Sequence, residues 1–205
     1  MIKNIIFDMG QVLVKFDPEY FLDRVGVIDE EDRKILLRTV YKSVEWSRLD
    51  RGSLTEEEAC EIMCSKLPTR LHEKVRQLTT EWARPIMEID GMYDIVKELK
   101  ENGYKIYLLS NASLNQKDYW NEIPCSKFFD GRVVSAEELL VKPQPEIYRL
   151  ILERYNLVAE ESVFIDDSTL NCEGAFLVGI NPIVFHGDSD EVREKLIEYG
   201  VKIKR

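Results

Sequence analysis

Along most of the chain, short β-prone apolar runs alternate with amphipathic helical stripes, and each run ends in polar residues. Lys3 to Phe7 is the first run. It closes in Asp8-Met9-Gly10-Gln11, which predicts a buried strand followed by a turn. After Asp90-Gly91, Tyr93, Val96, Leu99 and Lys100 mark a helix that stops at Asn102-Gly103, and Tyr104 to Leu109 then reads as a strand ending in Ser110-Asn111. Gly131 to Ser135 holds a short strand, and Ser135-Ala136-Glu137-Glu138 resembles a capping box ahead of Lys142-Pro143. Ile147, Leu150, Ile151 and Tyr155 form the next helical stripe, before a strand at Ser162 to Ile165 that ends in Asp166-Asp167. Leu170 to Val178 predicts a helix closed by Gly179, Pro182 to Phe185 a last, edge strand, and Asp188 to Tyr199 the terminal helix. This helix-stop-strand order predicts right-handed crossovers in a parallel sheet, an α/β fold of Rossmann-like type.

The stretch from Phe16 to Glu88 breaks the alternation. It far exceeds the ~12–15 residues at which an unstructured loop becomes uncommon. The spacing predicts helix throughout: Ser53-Leu54-Thr55-Glu56 is a start signal, and Ala59, Ile62, Met63 and Leu67 share one apolar face. The expected organisation is an α/β core from residues 1–15 and 89–205, with a helical insertion over 16–88.

A chain of 205 residues with 44% hydrophobic and 32% charged positions suits one globular domain, or a core with a small insertion. Its 28 Lys and Arg against 38 Asp and Glu give a net charge of -10, with no basic stripe, which argues against a nucleic-acid partner. An anionic substrate would then need strong local positive charge. No apolar run approaches the ~20 residues that span a bilayer, so a cytoplasmic protein without a membrane partner is expected. Cys60, Cys64, Cys125 and Cys172 lack CxxC spacing. Cys60 and Cys64 share a helical face at i, i+4, so a metal pair is conceivable. The two histidines, His72 and His186, are remote and take no catalytic role, and buried reduced thiols are the expected state.

Open parallel sheets bind ligands outside the carboxyl ends of their strands. Asp8, Ser110-Asn111 and Asp166-Asp167 all end predicted strands, and Lys142 follows a fourth. If they converge, three carboxylates repel one another unless a cation sits among them. Oxygen-only donors suit Mg²⁺, and Lys142 brings the local charge near neutrality, so that a phosphate dianion can enter. A carboxylate nucleophile needs no deprotonation at neutral pH and can take a phosphoryl group, splitting hydrolysis into two steps. Taken singly, each residue is as readily a helix cap or a solvated charge; four in order around an insertion favour a shared site.

Phe7-Asp8-Met9-Gly10-Gln11-Val12-Leu13, Leu108-Leu109-Ser110-Asn111, Lys142-Pro143 and Phe164-Ile165-Asp166-Asp167-Ser168 resemble the four motifs of the haloacid dehalogenase-like hydrolase superfamily, in order and across essentially the whole chain. The insertion resembles that superfamily's cap, and the sequence looks most like the sugar-phosphate phosphatase-like branch that includes the phosphatase domain of soluble epoxide hydrolases. The resemblance implies a Mg²⁺-dependent phosphatase acting on a small phosphorylated metabolite. It makes Asp8 the nucleophile and a metal ligand. Ser110, with the Asn111 amide, would bind the transferring phosphoryl group, and Lys142 would neutralise nucleophile and phosphate. The Gly10 carbonyl and Asp167 would be further metal ligands, with Asp166 alongside. Two alternatives stay open: a metal-independent haloacid-type hydrolase, which leaves the Asp166-Asp167 pair unexplained, and a non-catalytic phosphate-binding regulatory protein.

One position departs from the pattern. Most phosphatases of the superfamily carry a second Asp, a general acid and base, two residues after the nucleophile; here that residue is Gly10. Such a group contributes about 10²–10⁴-fold. The expectation is turnover with a good leaving group, such as an anomeric or acyl phosphate, or with a substitute group, for which Asp17 and Gln11 are the nearby candidates. In the insertion, Trp46 reads as core and Arg48 as solvated rather than as substrate contacts.

Overall fold

Successive strand residues alternate between two helical layers in the computed structural model, which describes residues 1–204. The chain runs β1 (Asn4–Phe7), helices α1 (Pro18–Arg24), α2 (Glu30–Thr39), α3 (Val44–Arg51), α4 (Glu56–Ser65), α5 (His72–Thr80) and α6 (Met92–Glu101), then β2 (Lys105–Ser110) and the one-turn α7 (Gln116–Tyr119). It continues through β3 (Gly131–Val134), the one-turn α8 (Ser135–Glu138), α9 (Pro145–Tyr155), β4 (Ser162–Asp166), α10 (Thr169–Leu177), β5 (Asn181–Val184) and α11 (Ser189–Glu198).

The five strands form one parallel sheet in the order β3-β2-β1-β4-β5, with β5 at an edge. On one face Ile5, Phe7, Ile106, Leu108, Val163 and Ile165 pack with the apolar stripes of α6 and α11. On the other, Ile6, Tyr107, Leu109 and Phe164 pack with Ile147, Tyr148 and Ile151 of α9 and Ala175 of α10. Burial on both faces is why the strands read as continuous apolar runs. Since β1 is central, its end delivers Asp8 to the middle of the carboxyl rim.

Helices α1–α5 lie between β1 and α6 and enclose their own core of Phe21, Leu22, Leu36, Leu49, Ala59, Met63, Val75 and Leu78. The start signal at Thr55 is a capping box completed by Glu58. The outgoing and returning chains run side by side, with Lys15 N–H donating to the Met87 carbonyl at 2.7 Å and Ile89 N–H to the Leu13 carbonyl at 3.0 Å.

Two local expectations need correction. Helix does not extend throughout residues 16–88: it ends at Thr80, because the chain beyond it returns toward β1, where residues 87–89 pair with residues 13–15. Ser135 forms no capping box; its hydroxyl donates instead to the Asp50 carbonyl and accepts from Ala112 N–H at 2.9 Å. All four cysteines are free and buried, with Cys60 and Cys64 Sγ 4.0 Å apart.

Candidate active site

The loop after β1 is a tight turn. Gln11 N–H donates to the Val14 carbonyl, and Leu13 and Val14 N–H both donate to the Met9 carbonyl, with Gln11 at a positive φ of 56°. The Gly10 carbonyl accepts no hydrogen bond among the described residues, so it is available to a ligand.

Asp8, Asp166 and Asp167 come from the ends of neighbouring strands, and each offers a carboxylate oxygen within 4.8 Å of the others. Lys142, whose side chain is fully buried, places Nζ 2.6 Å from Asp166 Oδ2 and 2.8 Å from Asp8 Oδ1. Asp166 is saturated by protein: it also accepts from Ser168 N–H at 2.8 Å and from Asn171 Nδ2 at 3.0 Å. Asp8 is not. Its buried Oδ1 has the ammonium at ion-pair distance but no aligned hydrogen bond. Asp167 is exposed and makes no side-chain hydrogen bond or ion pair among the described residues.

Burial pushes the Asp8 carboxyl up to about 7, with Lys142 pulling it down and Asp166 adding to the rise. Burial alone would lower Lys142, but the charges of Asp8 and Asp166 hold it above the usual lysine range. Burial and then Asp166 also raise Asp167. Three crowded oxygen donors, an orphaned buried oxygen and a free carbonyl fit a hard divalent cation such as Mg²⁺. Such a charge would return these carboxyls to their ionised form.

Asn111 clamps the lysine loop. Its Nδ2 donates to the Lys142 carbonyl at 3.0 Å and its Oδ1 accepts from Lys142 N–H at 2.8 Å. The Asn111 side-chain amide therefore positions Lys142, while its backbone N–H makes no hydrogen bond among the described residues. Ser110 is buried at the end of β2 and its hydroxyl forms no hydrogen bond among the described residues.

A cavity of about 220 Å³ opens on the rim, lined on one side by Asp8, Gly10, Asn111, Ser113 and Asp167 and on the other by Phe16, Trp46, Leu49, Asp50, Thr79 and Trp82. Trp46 packs 5.7 Å from Phe16 and 4.9 Å from Tyr41, ring centroid to centroid, so it is both core and cavity wall. Arg48 is exposed, as expected. Of the two candidates for the missing acid, Asp17 caps α1 by accepting from Glu19 and Tyr20 N–H and does not line the cavity. Gln11 does line it, but its Oε1 is held by Phe16 N–H at 2.8 Å. A larger groove on the outer side of α4 and α5 lies away from these groups.

Sequence reasoning missed Asp50. Its carboxyl is half-buried in the cavity wall and makes no hydrogen bond or ion pair among the described residues. Burial, reinforced by the charge of Asp8, pushes it up to about 7 against the opposing pull of Lys142. The available signal was spacing: Asp50 lies four residues after Trp46, on the same face of α3.

The sequence profile described as haloacid dehalogenase-like hydrolase matches residues 37–185, and the chain belongs to that family. It is 28% identical over 203 residues to the phosphorylated carbohydrates phosphatase of Thermotoga maritima, across 97% of this chain and 91% of that protein. It is 28% identical over 181 residues to a sesquiterpene phosphatase of Aspergillus oryzae, across 87% of each. The fold matches a haloacid dehalogenase family enzyme of Bacteroides thetaiotaomicron, solved with magnesium and inorganic phosphate, at a TM-score of 0.69 and 21% identity, over 94% of this chain and 99% of that one. Among the described residues, no helix is long and apolar enough to cross a membrane.

Proposed function

We propose that this protein hydrolyses a small phosphomonoester, a sugar phosphate by likeness to its relatives, through a phosphorylated Asp8. The observation that carries the reading is the meeting of Asp8, Asp166 and Asp167 within 4.8 Å around the buried Lys142 ammonium. In this reading residues 1–15 and 89–205 form the catalytic core, and residues 16–88 form a cap that closes on substrate and excludes water. The cytoplasm is the compartment we assign, in line with four unpaired thiols.

Asp8 attacks phosphorus in line with the leaving oxygen; the new Asp8–phosphorus bond forms as the ester bond breaks. Lys142 Nζ offsets the charge of both nucleophile and phosphoryl group. The Ser110 hydroxyl and the Asn111 backbone N–H receive phosphoryl oxygens, while the Asn111 side chain keeps Lys142 in place. Water then displaces Asp8 and releases phosphate. Mg²⁺ would be held by Asp8, the Gly10 carbonyl and Asp167, with Asp166 orienting the set from behind. Its contribution when bound is to neutralise charge on the phosphoryl oxygens and to keep the carboxyls ionised.

Phosphate release from a panel of phosphomonoesters, with Mg²⁺ and with chelator, tests this reading. Turnover should require Mg²⁺ and fall by about 10⁴-fold or more in Asp8→Asn. Undiminished turnover in that variant refutes the covalent route. Halide release in chelator would favour carbon–halogen hydrolysis, and tight phosphate binding with no ester cleaved would favour a regulatory protein.

A further inference from the structure

Ester hydrolysis by Asp8 has a proton problem that the rim does not solve. An alkoxide leaving group must gain a proton as its bond to phosphorus breaks, and the water that later attacks must lose one. On the rim, the carboxylates of Asp8 and Asp166 are committed to Lys142, Asp167 is the carboxylate assigned above to the cation, and position 10 carries no side chain. Of the residues in the opposite wall, Phe16, Trp46, Leu49, Thr79 and Trp82 offer no group that exchanges protons near neutrality, and Thr79 Oγ1 is bonded to the Val75 carbonyl at 2.8 Å. Asp50 is the exception. Its backbone carbonyl is anchored by the Ser135 hydroxyl at the end of β3, while its carboxyl, without a protein partner, faces the cavity that Asp8 and Gly10 line.

We propose that Asp50 is the general acid and base of this enzyme, supplied by α3 across the cavity in place of the carboxyl that position 10 lacks. The inference rests on the phosphatase reading given above. In the first step the Asp50 carboxyl gives its proton to the leaving oxygen as the ester bond breaks and the Asp8–phosphorus bond forms. In the second, the Asp50 carboxylate takes a proton from the attacking water as the Asp8–phosphorus bond breaks, which restores both carboxyls and yields inorganic phosphate. Near neutral pH, burial keeps both protonation states of this group accessible. Because the donor rides on the helical insertion, protonation is available only when α3 sits against the rim, which links cleavage to closure over the substrate.

The geometry offers a rescue. A Cβ built on Gly10 meets no atom within 4 Å, and Gly10 has no positive φ, so an Asp fits there without strain. The experiment compares wild type, Asp50→Asn and Gly10→Asp/Asp50→Asn on an alkyl phosphate and on p-nitrophenyl phosphate, whose leaving group needs no proton. In Asp50→Asn, kcat/KM should fall about 10²–10⁴-fold for the alkyl ester and less than about tenfold for the aryl ester. The same variant should give a burst of nitrophenolate as phosphorylated Asp8 accumulates, and the double variant should regain alkyl turnover. A single cooperative melting transition no lower than that of wild type would show that the isosteric Asn variant is folded. Equal losses on the two esters, or no loss on either, overturn the role of Asp50 while leaving the phosphatase reading intact. A wild-type protein that cleaves no ester overturns that reading itself.

Discussion

The sheet rim and helix α3 each turn a carboxyl toward the same cavity, but they treat its charge in opposite ways. Asp8 shares a buried ammonium with Asp166, which is itself saturated by Ser168 and Asn171. Asp50 has no ion-pair partner and no donor among the described residues, and feels the Lys142 ammonium only at a distance. Burial lifts both carboxyls to about 7, but Asp8 has an ammonium at ion-pair distance and a place beside a divalent cation to hold it ionised, whereas Asp50 has neither. The first is therefore suited to carrying fixed charge and the second to carrying a proton. The contrast teaches that one acidic residue type serves two purposes here, and that the neighbour decides which.

Removing the compensation should break the contrast most severely. Lys142→Met leaves Asp8 and Asp166 buried without their shared cation, and such a loss costs about 3–5 kcal/mol. Urea unfolding at pH 7 in chelator should show it, and the deficit should shrink toward pH 5 as the stranded Asp8 carboxyl protonates. A loss below about 1 kcal/mol would mean that the ammonium does not carry the rim.

The second variant drives the two walls apart. Gly52 ends α3 at φ 75°, and a Cβ there would overlap the backbone of Ala136 in α8. Gly52→Ala combines the left-handed penalty with separation of α3 from the rim, for a total of about 2–4 kcal/mol. Turnover should fall more on alkyl than on aryl esters, because Asp50 moves with the helix while Asp8 and Lys142 stay. Equal turnover losses on the two ester classes would detach Asp50 from the chemistry.

The rim was legible because its signals are local. Burial on both faces makes the strand interiors apolar, so polar residues fall at the strand ends, and Asp8 and Asp166 mark the carboxyl ends. The wall formed by α3 was hidden because its place is set by remote contacts. The close approach of Gly52 to Ala136 and the bond from Ser135 to the Asp50 carbonyl both cross more than eighty residues of chain. The same remoteness explains why Ser135 looked like a helix cap while its hydroxyl serves a tertiary contact. The motif placed Asn111 on the rim; that its side chain is engaged by the Lys142 backbone depends on the fold. Trp46 read as core, and it is core, yet an aromatic cluster that ends at a cavity is also a wall.

The smallest effect is the one that isolates Asp50 from the rim. Its carboxyl titrates near 7 in the folded protein against 3.8 in its ordinary state, so between those values the folded chain holds a proton that the unfolded chain has released. Stability contributed by that proton is present below about 4 and is lost as the pH rises to about 7. Asp50→Asn never carries the charge and sacrifices no hydrogen bond, since the native carboxyl makes none. A shift of this size is worth ~4 kcal/mol at most, and a carboxyl that opens on a cavity realises a fraction of it, about 1–2 kcal/mol. The Asn variant should therefore match wild type near pH 4, gain on it through pH 5 and 6, and stay ahead above pH 7, with unfolding followed in chelator at each pH. The gain should persist when Lys142 is also replaced, and grow, because the ammonium that lowers the Asp50 carboxyl is then gone. A constant difference at every pH would show that Asp50 is already an ordinary, solvated carboxylate.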